Sequence, residues 1–454
     1  MDLIKLRLAR FAGLVSKEQA MAGEGARGRI RRVVTLATFG CCIALSMPVC
    51  AQSYSRTDTT VYSDNLARWV LGQTASTSTN GIEVSRTVYD ATTALPLLTY
   101  QYGKLQQTLT YNPDGTLATV RDGNSNVSTL SNWKRGIPQS IQHPATPEAP
   151  SGAIESAAVD NNGWLTSVTD ENGYSTNYSY DAMGRMARVV YPINDSTVWN
   201  DTTQSFTQIN AVEYGIASGH WKQTVSTGSG SKETYFDALL RPVVTREYDT
   251  ANVVGTQRFT RRSYDDGGHL AFSSYPGTVD TLTNGVWTLY DTLDRPTSVS
   301  QDSEVGLLTT TTAYLTGFQT QVTNHRGKIS TTSYMTYDQP NTDWPVAIIQ
   351  PAGAYTDIVR NAFGKPTLIT RRNAGNTLSA TRSYVYDGFQ QLCAQVEPET
   401  GTTVMDYDPA GNVWWSAAGL ASTVGCNRTD PTIAARKVTR TYDARNREIG
   451  RAHV

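Results

Sequence analysis

Histidine and cysteine are scarce in this 454-residue chain, at five each. Cys41, Cys42 and Cys50 fall in the first 51 residues, so the rest holds too few cysteines for a dense disulfide scaffold or a cysteine-built zinc cluster. His143, His220, His269, His325 and His453 are scattered, and none has a His, Cys or carboxylate neighbour at metal-ligand spacing. Charged side chains make up 17% and the formal net charge is −1. A nucleic-acid binder needs a basic face, which this balance does not supply. Hydrophobic residues make up 39%, below the usual globular share. No long window carries apolar residues at helical spacing, which argues against a helical bundle. Pro150-Ser151-Gly152 and Ser226-Thr227-Gly228-Ser229-Gly230-Ser231 are loop punctuation; they lack the Lys-Ser/Thr ending of a phosphate loop and the strand–helix setting of a nucleophile elbow. A glycosidase needs two carboxylates roughly 5–10 Å apart. The close pairs here, Asp265-Asp266 and Glu397 with Glu399, sit at turn positions that favour acidic residues for backbone reasons. The sequence therefore offers no catalytic, cofactor-binding or metal-binding residue, and the expectation is a protein that is not an enzyme.

What is abundant is tyrosine (24), glycine (36), threonine and serine. They are organised by a recurring phrase: an aromatic-Asp pair, two or three loose residues, often Gly, then a polar and an apolar residue. The clearest copy is Tyr180-Asp181-Ala182-Met183-Gly184-Arg185-Met186. Other copies begin at Tyr111-Asn112, Phe236-Asp237, Tyr264-Asp265, Tyr290-Asp291, Asn361-Ala362, Tyr386-Asp387, Tyr407-Asp408 and Tyr442-Asp443, with Tyr337-Asp338 a degenerate one. A self-similar unit implies an array, and a residue present in every copy is first of all structural.

The phrase has a local logic. Asp at the first position of a four-residue turn accepts the backbone N–H two residues on, and Gly at the last position tolerates the left-handed conformation needed to re-enter a strand. The aromatic closes one strand and covers a sheet face. Further turns at 170–173, 324–327 and 397–401 precede alternating runs, so each unit reads as a two-strand hairpin with glycine-bearing turns at both ends. Leu240, Asp294 and Asn446 stand where Gly184 stands. Asn and Asp accept that backbone; Leu does not readily, so the Leu240 turn is expected to differ in geometry. His269, in the slot that Arg185 fills, is expected at an exposed turn flank.

At the N-terminus, Arg27, Arg29, Arg31 and Arg32 precede the apolar run 33–49, and Val49-Cys50-Ala51 offers small residues for cleavage after Ala51. Residues 1–51 read as an export signal, with translation starting at Met1 or Met21. The run is too short and too interrupted for a membrane anchor, so no membrane span is expected after its removal. The remainder, with 31 basic and 37 acidic side chains, is secreted or displayed at the cell surface. Residues 52–154 form a β lead-in, broken by the proline-rich stretch 144–152 as a linker or surface loop; residues 155–448 form the main array. Cys393 and Cys426 are an even pair in an exported chain and are expected to form a disulfide that staples the irregular stretch 411–429 to the repeat before it.

These residues resemble the YD-repeat, or RHS-repeat, family. The resemblance rests on 180–186, on Tyr407-Asp408-Pro409-Ala410-Gly411-Asn412-Val413 and on the intervening Asp-x-x-Gly turns, and it spans most of the chain from 111 to 447. It implies an all-β array of antiparallel hairpins coiled into a ribbon that forms part of a shell. The turn residues Tyr180, Asp181, Gly184, Arg185, Tyr264, Asp265, Tyr290, Asp291, Tyr407, Asp408 and Gly411 would be structural. It further implies a role in antagonism between bacteria, with the shell enclosing a polymorphic toxin at the C-terminal end of the same product. The family's core segment and toxin module are not found here, and residues 449–454 read as a tail foreign to the repeat, so the chain is taken as the front part of a longer gene. The alternative is a cell-surface module that binds glycans or mediates adhesion through exposed Tyr and Trp.

Overall fold

A computed structural model describes residues 54–193, 195–337 and 339–453. The expected signal, its Ala51 cleavage point and Asp338 lie outside the described residues. Within them the chain forms one 32-stranded sheet, so the all-β hairpin array is the observed fold. From Asp58–Asn65 to Ser175–Tyr180 each strand pairs antiparallel with the one that follows it. The same holds from Met186–Val190 to Glu448–His453. The break at 144–152 is a loop inside a hairpin, because Gln142 and Ile154 on either side are paired across the sheet. No helix among the described residues is long and apolar enough to cross a membrane.

The serine and threonine content has a place in this sheet. Hydroxyls bond to each other across neighbouring strands in Thr77–Ser85, Thr110–Thr119, Thr202–Thr227 and Thr370–Thr381, at 2.6–3.1 Å. Such cross-strand pairs stabilise a sheet whose faces bury little apolar surface. The apolar core is correspondingly thin and broken into small clusters. Leu109, Val120 and Leu130 make one, and Tyr235, Val244 and Phe259 another. The largest joins Ala394, Val404, Trp415, Ala417, Leu420 and Ile433.

That last cluster is covered from outside the sheet. After the strand Val413–Leu420 the chain leaves the ladder for two short 3₁₀ turns, Ser422–Val424 and Pro431–Arg436, before re-entering at Lys437–Tyr442. Ile433 drops into the cluster, and Cys426 is disulfide-bonded to the fully buried Cys393, with the two Cα atoms 5.5 Å apart. The stapled excursion is thus 421–436 rather than 411–429, because Val413 to Leu420 can pair with the preceding strand and does so.

Candidate functional site: aspartate corners, tyrosine latches and a seam

Leaving aside Tyr337-Asp338, whose Asp lies outside the described residues, the copies of the phrase fold into the same corner. In the copy at 181, the Asp181 carboxylate accepts from the Met183 and Arg185 N–H groups at 2.9 and 3.0 Å. Its backbone N–H and C=O bond to the Arg185 C=O and Gly184 N–H. The corners at Asp237, Asp265, Asp291, Asp387, Asp408 and Asp443 repeat the backbone pair. The fourth residue is left-handed throughout, at φ 77° for Gly184 and 96° for Gly411. The Leu240 corner corrects the expectation of a different geometry. Leu240 sits at φ 58°, its N–H reaches the Asp237 carbonyl at 3.0 Å, and the Asp237 carboxylate still takes the Leu239 and Arg241 N–H groups at 2.9 Å. Four hydrogen bonds outweigh a left-handed penalty of about 1–2 kcal/mol.

In several corners the residue after the left-handed position closes the turn with a charge. Arg185, Arg241 and Arg295 each place a guanidinium nitrogen 2.7 Å from the corner carboxylate. Backbone and side-chain donation by Arg185 holds the Asp181 carboxyl below its ordinary range. For Asp291 the Arg295 guanidinium is the main cause. At Asp237 and Asp443, burial pushes the other way but loses to donors from Arg241 and Arg447.

The tyrosines do a second job that sequence reasoning missed. The Tyr264 hydroxyl donates to the Pro242 carbonyl at 2.9 Å, Tyr386 to Pro366 at 3.0 Å, Tyr407 to Leu392 at 2.9 Å and Tyr442 to Val413 at 2.8 Å. In each case the acceptor is the residue that starts the strand after the preceding corner. Tyr290 and Tyr111 do the same toward Leu270 and Pro96. Trp133 Nε1 reaches Leu117, and Arg360, which stands where the phrase at Asn361 lacks its aromatic, reaches Pro345. The slot side chain of one corner lies on the aromatic ring of the next. Arg241 is 4.5 Å from the Tyr264 ring centre, Arg295 3.9 Å from Tyr314 and Lys365 5.3 Å from Tyr386, and the His269 ring stacks on Tyr290 at 4.7 Å. Burial pushes the Tyr111 phenol up to about 12, so that latch stays a donor at neutral pH. A visible trace of the latch was in the sequence all along: Pro242, Pro296 and Pro366, which directly follow Arg241, Arg295 and Lys365.

Two measurements test this chain of corners. Tyr264→Phe removes only a hydroxyl and leaves the Pro242 carbonyl short of a partner, so a loss of about 1 kcal/mol in urea unfolding is expected. An unchanged midpoint for Tyr264→Phe and Tyr407→Phe together would dispose of the latch. At Asp265 the slot is His269, half-buried and bridging two corners: Nδ1 is 3.0 Å from Asp265 and Nε2 3.1 Å from Asp294. The bond to Asp265 raises the His269 pKa above its ordinary value, with the Asp265 and Asp294 charges adding to it. Its contribution to stability is complete below about pH 6.5 and is lost as pH rises through the raised folded value. The Asp265 carboxyl, depressed despite its burial, contributes in the opposite sense and is lost in acid. The stability gap between the wild type and His269→Gln should therefore narrow as pH rises past neutrality; a gap constant from pH 5 to 9 contradicts the bridge.

A further set of contacts joins corners far apart in sequence. Lys104 Nζ donates to the Asp408 carbonyl at 2.6 Å, and Asn124 Nδ2 to the Asp408 carboxylate at 2.8 Å. Asn446 Nδ2 reaches Asp122 at 2.9 Å. Tyr102 meets Phe363 edge-on, with ring centres 5.3 Å apart. Gly123 packs so closely on Pro409 that an added Cβ would lie 2.2 Å from the Pro409 carbonyl oxygen. Residues 102–124 and 361–446 thus share a continuous seam. Near it the fold assembles a group no sequence spacing announced: the buried His143 has its Nε2 3.7 Å from Glu155 and 3.8 Å from Glu171. These three could in principle hold a cation. Here the Arg445 guanidinium already occupies the Glu171 oxygen, which makes the group an ionic clasp between early and late repeats.

The RHS Repeat family profile matches residues 159–192, which contain the Asp160, Asp170 and Asp181 turns. Teneurin-4 from Homo sapiens is 24% identical over 201 residues, covering 41% of this chain and 7% of the relative; the Mus musculus protein matches over the same shares. A chain in a solved structure of the Photorhabdus luminescens Tc holotoxin pore superposes with a TM-score of 0.51 at 13% identity, covering 87% of this chain and 23% of that one. The chain therefore spans only a small part of the length of these proteins, and the structural likeness speaks to fold alone. The chain thus carries an RHS, or YD, repeat sequence at 159–192, set in a hairpin array whose fold is similar to that of the holotoxin chain.

Proposed function

We infer that the protein is an exported structural element whose repeats form part of the wall of a shell around a C-terminal polypeptide of the same product, a toxin used against competing bacterial cells. The observation that carries this reading is the seam. Corners at 102–124 lock to corners at 361–446 through side chains that come from the repeat turns themselves. Such locking is what rows of a repeat ribbon need if they are to stack into a continuous wall, and it leaves fewer open edges. The corner carboxylates are taken by backbone N–H groups and guanidiniums, which suits a structural role. Glycan recognition by the repeat aromatics has less support, because the corner tyrosines spend their hydroxyls, and in several copies a ring face, on neighbouring repeats.

The test is protease protection of the full natural product, recovered from the producing cells with an antibody to the repeats. A downstream segment that resists digestion until the repeats are unfolded supports enclosure. A product whose downstream part is cut as fast as a free polypeptide, or one retained by immobilised cell-wall glycan with nothing enclosed, overturns it.

A further inference from the structure

The seam leaves a cavity of about 200 Å³ between the hairpin turn at Tyr102 and the later corners that end in Lys365, Gln391 and Gly411. Its lining is chemically one-sided. Lys104 and Lys365 bring ammonium groups, Gln101 and Gln106 bring amides, and Tyr102 and Phe389 bring rings; none of the lining residues is acidic. An ammonium has three N–H donors. Lys104 gives two, to the Asp408 carbonyl at 2.6 Å and Gln391 Oε1 at 3.3 Å. Lys365 gives one, to the Gln390 carbonyl at 2.5 Å, while lying 5.1 Å from the Tyr102 ring centre. The remaining donors can turn to an anion in the cavity.

Both lysines are partly buried, and burial lowers the pKa of each despite the nearby Asp387, and for Lys104 also Asp408 and Asp406. Those carboxylates are engaged elsewhere. Asp408 takes Asn124 and Asn412 at 2.8 and 2.9 Å, and Arg428 pairs with Asp387 at 2.9 Å and Asp406 at 3.2 Å. Two partly buried cations flanked by amides and rings, with Asp387 and Asp406 sharing Arg428 and Asp408 bonded by Asn124 and Asn412, suit a counter-anion. The volume lies below the range of drug-sized pockets, so the occupant is a single ring or a short-chain acid.

We propose that this cavity binds a small hydroxylated carboxylate, with Lys104 and Lys365 taking the carboxylate and the glutamine amides the hydroxyls. Such a group comes either from a free hydroxy acid or from the acidic end of a saccharide. The experiment is calorimetric titration of the folded chain at pH 7 and matched ionic strength with malate, D-glucuronate and D-glucose. Saturable binding of malate assigns the free acid as the source, and binding of glucuronate in preference to malate assigns the saccharide end; glucose should give no saturable heat. Lys365→Gln should weaken the bound acid at least tenfold. Because Lys365 also supports a corner, Gln101→Glu serves as the second variant: it places a negative charge at the exposed rim, and should weaken binding similarly with no change in Tm. No saturation by either acid at about 10 mM, beyond the millimolar class, overturns the proposal. So does equal binding of glucose, or Gln101→Glu binding the acid as tightly as the wild type.

Discussion

Reduction of the Cys393–Cys426 disulfide should destabilise the C-terminal end of the array by about 3–4 kcal/mol, the loop-closure entropy of a cross-link spanning 33 residues. The effect should be local in a definite way. The cross-link fixes the excursion 421–436, which supplies Ile433 to the cluster of Ala394, Val404, Trp415, Ala417 and Leu420. Arg428, in the same excursion, reaches the Met405 carbonyl at 3.1 Å and pairs with Asp387 and Asp406. Opening the link frees the cover, wets that cluster and releases the ion pairs together. Hydrogen exchange after reduction should therefore rise at Ala394, Val404 and Ala417, and not in the distant cluster of Tyr235, Val244 and Phe259. A Cys393→Ala, Cys426→Ala double variant should behave as the reduced protein does. Equal midpoints for oxidised and reduced protein would mean that the 421–436 cover holds without its staple.

The corners were legible because everything they need is local. Asp181, Gly184 and Arg185 lie within five residues, and the turn preferences of Asp and Gly predict the observed hydrogen bonds. Leu240 was misread for the same reason: propensity judges a residue alone, whereas the Asp237 corner is held by its backbone ring whatever side chain stands fourth. The latch was half legible. Tyr264 and Pro242 are 22 residues apart, and only the repeat register brings them together. The seam was not legible at all. Asn124 and Asp408 are separated by 284 residues, and nothing about either announces the other. His143, Glu155 and Glu171 look unrelated in sequence for that same reason; consecutive hairpins place them side by side.

Gly123→Ala should part the seam. Gly123 carries no left-handed backbone requirement, so alanine costs nothing locally, and the whole effect comes from what the new methyl group meets. It would lie 2.2 Å from the Pro409 carbonyl oxygen and 2.6 Å from its carbon, both backbone atoms inside a closed corner. No rotamer relieves that contact, so one of the two corners must retreat. Overpacking of this kind costs about 1–3 kcal/mol. The retreat also stretches the Asn124–Asp408 and Asn124–Ala410 bonds, at about 1 kcal/mol each. A loss of about 3–5 kcal/mol is expected, with faster hydrogen exchange confined to residues 102–126 and 405–412. Gly388→Ala is the matched control. Its added Cβ meets nothing within 4 Å and its backbone is not left-handed, so it should leave stability within about 0.5 kcal/mol of the wild type. If Gly123→Ala unfolds at the same midpoint as Gly388→Ala, then early and late repeats do not bear on each other in solution, and the wall reading loses the contact it stands on.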